Sequence, residues 1–237
     1  MRTEWELSHC IRGDPEGGIS VALFGDSHAA SWEPALHALG LALGWRVDVL
    51  THSGCPHYTT PSDSCAHWRK SALAHLAAHP PALILLSSFY KYDLEGGTQW
   101  EMEASMRAIA GSPMLWLGDS PPVEDAPSCL EAHAASDARL CDLRPSSPQF
   151  EAFEALAKGA VDAVRGSGAA AAFFDVRAWM CGGPAGGATT CPAALGGIAV
   201  IRDPSGHLAA SFVERLAPCL LQEIQRVPGW AAGRGGA

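Results

Sequence analysis

The sequence predicts an α/β fold built on a parallel, doubly wound sheet, and three observations predict it. Short apolar runs recur along the 237 residues, separated by segments whose apolar side chains keep helical spacing. One run, residues 81–86, is apolar throughout, as in a strand covered on both faces. Another, residues 19–24, passes straight into Gly25-Asp26-Ser27 and then an alanine-rich segment, a strand-turn-helix.

Residues 1–18 have little periodicity and end in the turn cluster Asp14-Pro15-Glu16-Gly17-Gly18, so they read as a lead-in tethered by Cys10. After the first strand, 19–24, Pro34 lies too deep for one unbroken helix. A short turn through Trp32 and a helix restarting at Pro34 are expected, with Leu36, Leu39 and Leu43 on one face. The second strand, 45–50, opens into Thr51-His52-Ser53-Gly54-Cys55-Pro56 at its carboxyl end. A helix over 68–78 leads to the third strand, 81–86, which Ser87-Ser88-Phe89-Tyr90 follows. Next come a helix over 100–109, a fourth strand at 113–117, and a long Pro-rich loop holding Cys129 and Cys141. Residues 150–164 form the clearest amphipathic helix, with Phe153, Leu156, Ala160 and Val161 aligned. A fifth strand spans 169–176. A further cysteine-bracketed loop, an apolar run at 197–201 and the turn Asp203-Pro204-Ser205-Gly206-His207-Leu208 follow, the turn opening a helix that carries Phe212, Val213 and Leu216 inward. One domain therefore covers 19–227, and the Gly- and Ala-rich residues 228–237 read as a frayed tail.

Ser27 would stand at the carboxyl end of a strand, where open α/β sheets place ligands, and at a helix start whose free N–H groups favour developing negative charge. A serine there can accept an acyl group. Ser and Asp are also ordinary N-caps, and the chain repeats the tripeptide as Gly118-Asp119-Ser120. Pro121 and Pro122 follow the second copy and deny it a helix start, so Ser27 is the candidate nucleophile. A serine hydroxyl needs a base, and of the ten histidines His207 is the best placed. It follows a glycine at the head of a helix, whose N-terminus would discourage its protonation, and Asp203, four residues earlier, can fold back onto its ring and fix the tautomer. His28, adjacent to Ser27, is expected to diverge from it and shape the pocket. Trp32, Tyr58 and Tyr90 are aromatic side chains able to stack on a sugar; Trp32 is equally compatible with a place in the core.

The net charge of −9, with sixteen Lys and Arg scattered along the chain, makes nucleic acid and anionic membranes poor partners. No apolar stretch is long enough to cross a bilayer, and the N-terminus has neither the basic region nor the apolar core of a signal peptide. Six of the eight cysteines fall in close pairs, Cys55 with Cys65, Cys129 with Cys141 and Cys181 with Cys191, each bracketing a loop-like stretch. Cys10 and Cys219 remain near the two ends. Loop staples in an oxidising compartment are the expected use, and they favour Met1 being the start of a piece of a longer chain. Each short loop would contribute roughly 3 kcal/mol and a Cys10–Cys219 bridge about 5, although connectivity stays open. The rival reading is a metal framework, since Cys55-Pro56-His57 and Cys65-Ala66-His67 repeat a Cys-x-His unit, but the usual Cys-x-x-Cys pairs are lacking. No metal or other cofactor is expected.

Gly25-Asp26-Ser27-His28 near one end, with Asp203 and His207 near the other, resembles the SGNH (GDSL-like) hydrolase superfamily. The stretch from Leu23 through Pro34-Ala35-Leu36, then Ser53-Gly54-Cys55-Pro56, Cys129-Leu130, Cys141 and His207-Leu208, is similar to the SGNH domain fused behind bacterial membrane acyltransferases. The resemblance implies a flavodoxin-like three-layer α/β/α sandwich with Ser27 as nucleophile, His207 as base and Asp203 as its orienting partner. It also implies an oxyanion site made by the N–H groups of Ser27 and Gly54. The asparagine that the superfamily places after the third strand is absent, and Ser88 is the stand-in candidate; losing such a donor costs roughly 3 kcal/mol in the barrier. The Asp203-to-His207 spacing is one residue longer than the usual Asp-x-x-His.

Such fusions O-acetylate lipopolysaccharide and other surface glycans. The implied activity is therefore acyl transfer, with an acyl donor and a glycan acceptor as substrates, in an extracytoplasmic domain tethered to a membrane acyltransferase. A free-standing carbohydrate esterase and a degenerate glycan-binding module are the other classes that the residues allow.

Overall fold

Alternation of side chains along the strands divides the molecule into layers. The computed structural model describes residues 10–61, 64–92, 98–122, 126–181 and 190–230. Its strands β1 (Cys10–Gly13), β2 (Ile19–Gly25), β3 (Trp45–Thr51), β4 (Leu83–Ser87), β5 (Met114–Leu117) and β6 (Ala171–Phe174) form one sheet in the order β1-β3-β2-β4-β5-β6. All neighbours pair in parallel except β1, which runs antiparallel to β3 on the outer edge. Val21 and Leu23, Leu83 and Leu85, and Leu115 and Leu117 enter one core, whereas Ala22 and Phe24, Ile84 and Leu86, and Met114 and Trp116 enter the other. Burying each such large side chain stabilises the fold by about 1.5–3 kcal/mol, which is why both faces must be covered.

The helices are α1 (Ser27–Ala30), α2 (Glu33–Leu43), α3 (Ala66–Ala78), α4 (Thr98–Ala108), α5 (Ala126–Asp137), α6 (Pro148–Gly166), α7 (Arg177–Met180), α8 (Ala210–Arg215) and α9 (Ala217–Arg226). Leu36 and Leu39 of α2, Phe212 and Val213 of α8, and Leu220 and Ile224 of α9 cover the first face. Ala72 and Leu76 of α3, Met102 and Met106 of α4, and Phe150, Phe153 and Val161 of α6 cover the second. The result is the three-layer α/β/α sandwich that the resemblance implied. Local chemistry sets the ends: Pro34 lies in the first turn of α2, Gly44 closes that helix at φ 66°, and Ser147 caps α6 through its Oγ, which accepts from the Phe150 N–H at 3.2 Å. No described helix is long and apolar enough to cross a membrane.

Four local expectations are corrected. Part of the lead-in forms β1, because pairing with β3 satisfies its backbone along one edge. The segment around Cys129 is helical as α5, its Leu130 anchored in the first core, and a 3-10 turn, Ala138–Cys141, completes it. The run at 197–201 is a two-residue hairpin arm, Ile198–Ala199 against Ala194–Leu195, followed by an isolated bridge between Ile201 and Leu208. That bridge closes a narrow loop over 202–207, so His207 sits at the base of a loop, where its carbonyl accepts from the Arg202 N–H, and α8 starts three residues later, at Ala210. Residues 231–237 of the expected tail lie outside the described residues.

Three disulfides join Cys55–Cys65, Cys129–Cys141 and Cys181–Cys191. Cys55 and Cys65 thus spend their thiols on each other, and His57 is buried in the second core, which removes the metal framework. Burial drives the His57 pKa down to about 3, helped by Arg69, so the ring is neutral and its Nδ1 pairs with Ser105 Oγ at 2.9 Å. Cys10 and Cys219 are free, correcting the expected terminal bridge: β1 exposes Cys10 on the sheet edge, while α9 lies across a face of the sheet with its apolar side inward. Thiol titration of the denatured, unreduced chain should therefore find two thiols, rising to eight after reduction.

Candidate active site

The five parallel strands, in chain order, stand 2-1-3-4-5, so the order reverses between β2 and β4. Loops leaving the carboxyl ends of these neighbours diverge and open a crevice there. Gly25 ends β2 at φ 152°, and a Cβ on it would lie 2.2 Å from the Ser87 carbonyl oxygen, so only glycine lets the turn start this close to β4. Asp26 then caps α1. Its Oδ1 accepts from the N–H groups of His28 at 2.8 Å and Ala29 at 3.3 Å, its Oδ2 accepts from the Phe89 N–H at 2.8 Å, and the carboxylate also accepts from the Tyr92 hydroxyl. One carboxylate therefore ties the loop after β2 to the loop after β4.

With the His28 and Ala29 amides engaged, the half-buried Ser27 heads α1 with its own N–H lacking a partner among the described residues. Its Oγ lies 2.8 Å from His207 Nε2. On the other side of the ring, His207 Nδ1 lies 2.9 and 2.8 Å from the two carboxylate oxygens of Asp203. The longer spacing still reaches because Gly206 adopts φ 90° and its N–H closes a turn onto the Asp203 carbonyl at 3.1 Å. Partial burial pushes the Asp203 pKa up, but hydrogen bonds from the His207 ring and the His207 and Ser205 N–H groups outweigh it and hold the carboxyl below its ordinary value. The carboxylate fixes His207 with its proton on Nδ1, which leaves Nε2 as acceptor toward the serine.

Other expected site residues fall elsewhere. Trp32 is buried in the first core, edge-on to Trp179 at 5.9 Å, and Tyr58 is buried in the second, so neither faces a ligand. Tyr90 is buried against Phe150, and burial with the nearby Asp119 pushes its hydroxyl to about 12. Ser88 is fully buried; its Oγ reaches neither solvent nor, among the described residues, a hydrogen-bond partner, so it does not replace the missing asparagine. Gly54 is exposed at φ 75°, in a loop that begins beside Gly25 where the His52 N–H donates to the Gly25 carbonyl at 3.1 Å. His28 is buried, with its Nδ1 2.6 Å from Asp119 Oδ1 and its ring stacked on Phe89 at 4.3 Å.

Reasoning from the sequence missed Asp119, Ser120 and Glu154. Asp119 Oδ2 accepts from the Tyr90 N–H at 2.8 Å, and Ser120 Oγ donates to the Gly206 carbonyl at 2.7 Å. The repeated tripeptide was the available signal, but it had been weighed only as a rival nucleophile. Glu154 of α6 accepts from the Asp119 N–H at 3.1 Å, and Gly118 leaves it room, since a Cβ there would meet Glu154 Oε2 at 2.5 Å.

Burial pushes the Glu154 pKa to about 8 from 4.5, because Oε2 is enclosed and has no partner among the described residues. A folded-state value above the unfolded one means that the stability tied to this proton is complete below 4.5 and is lost as pH rises through about 8. Thermal unfolding should show the intact chain losing midpoint temperature between about pH 5 and 8, with a shallower decline in Glu154→Gln.

The architecture has a solved counterpart: the periplasmic domain of a lipopolysaccharide acetyltransferase from Salmonella ser. Paratyphi A superposes with a TM-score of 0.65. The match covers 89% of this chain and 85% of that one at 11% sequence identity, so the likeness is one of fold. Comparison with curated proteins finds no significant match. The sequence model described as "SGNH domain (fused to AT3 domains)" matches residues 2–222, a span that holds Ser27, Asp203 and His207 together. By that match the chain belongs to the family of SGNH domains fused to AT3 domains.

Proposed function

We propose that this chain transfers an acyl group, acetyl in the first instance, through a Ser27 ester onto a hydroxyl of a surface glycan. The observation that carries this reading is the continuous Asp203–His207–Ser27 hydrogen-bond chain, with 2.8 Å at the serine. In the first half-reaction Ser27 Oγ attacks the acyl carbonyl while His207 Nε2 takes its proton, and Asp203 stabilises the imidazolium that forms. Negative charge gathers on the carbonyl oxygen. The Ser27 N–H at the head of α1, without a partner among the described residues, is a donor for it, and the Gly54 N–H, one residue before the Cys55–Cys65 staple, is the second. The donor's leaving group departs with the proton held by His207. In the second half-reaction His207 takes the proton of the acceptor hydroxyl, which attacks the Ser27 ester and frees the serine.

Membership of a family defined by its fusion to AT3 domains supports a membrane acyltransferase domain as the linked partner that delivers the acyl group. The Salmonella domain of the same fold belongs to a lipopolysaccharide acetyltransferase, which supports a glycan acceptor. Three disulfides support an extracytoplasmic location. Ser27 and His207 are half-exposed, so water can also reach the ester, and the isolated chain should hydrolyse aryl acetates slowly.

A fluorophosphonate probe should label the intact chain once, at Ser27. Ser27→Ala should abolish labelling, and both it and His207→Ala should lower aryl acetate turnover by at least about 10³-fold. Labelling that survives Ser27→Ala would remove the nucleophile assignment, and an unlabelled intact chain would favour a glycan-binding module. Added glycan that diverts the acyl-enzyme from water marks a transferase; indifference to glycan marks an esterase.

A further inference from the structure

The second Gly-Asp-Ser copy is joined to the first site at two separate points. Ser120 Oγ donates to the carbonyl of Gly206, the residue before His207, at 2.7 Å, and both Asp119 and Ser120 are buried. That bond anchors from beneath a turn otherwise closed by its own contacts, Gly206 N–H to the Asp203 carbonyl and Arg202 N–H to the His207 carbonyl. Asp119 meanwhile grips His28 at 2.6 Å, and the His28 ring lies 4.6 Å from that of His207, tilted by 44°. Pro121 and Pro122 make sense in this light, because a loop kept free of helix can turn its side chains sideways into the site.

Resting on the acyl-transfer reading, we propose that Gly118-Asp119-Ser120 is the positioning half of the active centre. Ser120 holds the 203–207 turn in register with Ser27, and Asp119 packs His28 against the ring of His207. The groups facing His28 are Asp26 on its own turn, Phe89 from the loop after β4, Asp119 from the loop after β5, and Asp203 with His207 from the 202–207 loop. Burial discourages charge on His28, but Asp119, then Asp26 and Asp203, outweigh it and raise its pKa. Neither Ser120 nor Asp119 touches the reacting hydroxyl; they act through His207.

The test uses aryl acetate hydrolysis, with rates counted per fluorophosphonate-titrated Ser27 so that unfolded molecules drop out. Ser120→Ala should lower kcat by about tenfold or more with KM within about twofold, since it misplaces the base without altering the crevice. Ser120→Thr, which keeps the donor, should recover most of that loss. His28→Gln should lower kcat by about threefold or more with KM within about twofold, because the His207 ring loses the ring it packs against. If Ser120→Ala or His28→Gln stays within about twofold of the intact kcat, the positioning role is overturned while the Ser27 reading stands. An intact chain that the probe does not label would remove both.

Discussion

The carboxylate of Asp26 joins the two strands between which the site opens, and the active arrangement depends on it. Burying an ionised carboxylate costs several kcal/mol unless donors surround it. Here every contact is a donor: two amides of α1, the Phe89 amide and the Tyr92 hydroxyl. Charge-assisted bonds of this kind are the strong ones; they offset part of the desolvation, which still raises the Asp26 pKa, and only while the loops after β2 and β4 stay at their present separation. The bond set that satisfies the charge thereby fixes the direction in which Ser27 leaves the sheet.

The two Gly-Asp-Ser copies show how one tripeptide takes two roles in two settings. Each glycine sits where a side chain would collide, Gly25 against the Ser87 carbonyl and Gly118 against Glu154. Each aspartate collects backbone N–H groups from a neighbouring loop, Phe89 for Asp26 and Tyr90 for Asp119. The serines then diverge. A helix follows Ser27 and leaves it half-buried with an amide that has no partner among the described residues, whereas prolines follow Ser120 and turn it into the interior, where it meets the Gly206 carbonyl. What comes after the tripeptide decides whether its hydroxyl faces substrate or scaffold.

Covalent staples surround this centre without entering it. Cys55–Cys65 closes the loop that starts one residue after Gly54, and Cys129–Cys141 and Cys181–Cys191 brace the segments after β5 and β6. All three lie beyond carboxyl ends of strands, and Cys141, Cys181 and Cys191 are buried in the first core. A disulfide limits the unfolded freedom of such connections and keeps loop donors placed. Trp32 and Tyr58, with large apolar surfaces, went instead to the two cores.

The five parallel strands, the break before Pro34, the three close cysteine pairs and the candidate trio of Ser27, Asp203 and His207 were legible in the sequence. Each rests on local pattern, on short-range spacing or on a motif whose parts announce their chemistry. The sequence did not show that residues 126–137 are helical, because that helix is held by Leu130 in the core rather than by a strong amphipathic period. Nor did it separate Trp32, Tyr90 and Ser88 from a ligand surface: an aromatic ring or hydroxyl near a motif reads the same whether the pleat turns it inward or outward. The contacts across 180 residues from Ser27 to His207, and from Ser120 to Gly206, were settled only by the tertiary structure. Sequence determined which groups could act; the packing of α8 and α9 over the sheet, with the buried polar bonds beneath the 202–207 loop, decided which of them meet, because long-range approach is a property of the filled core and not of any segment alone.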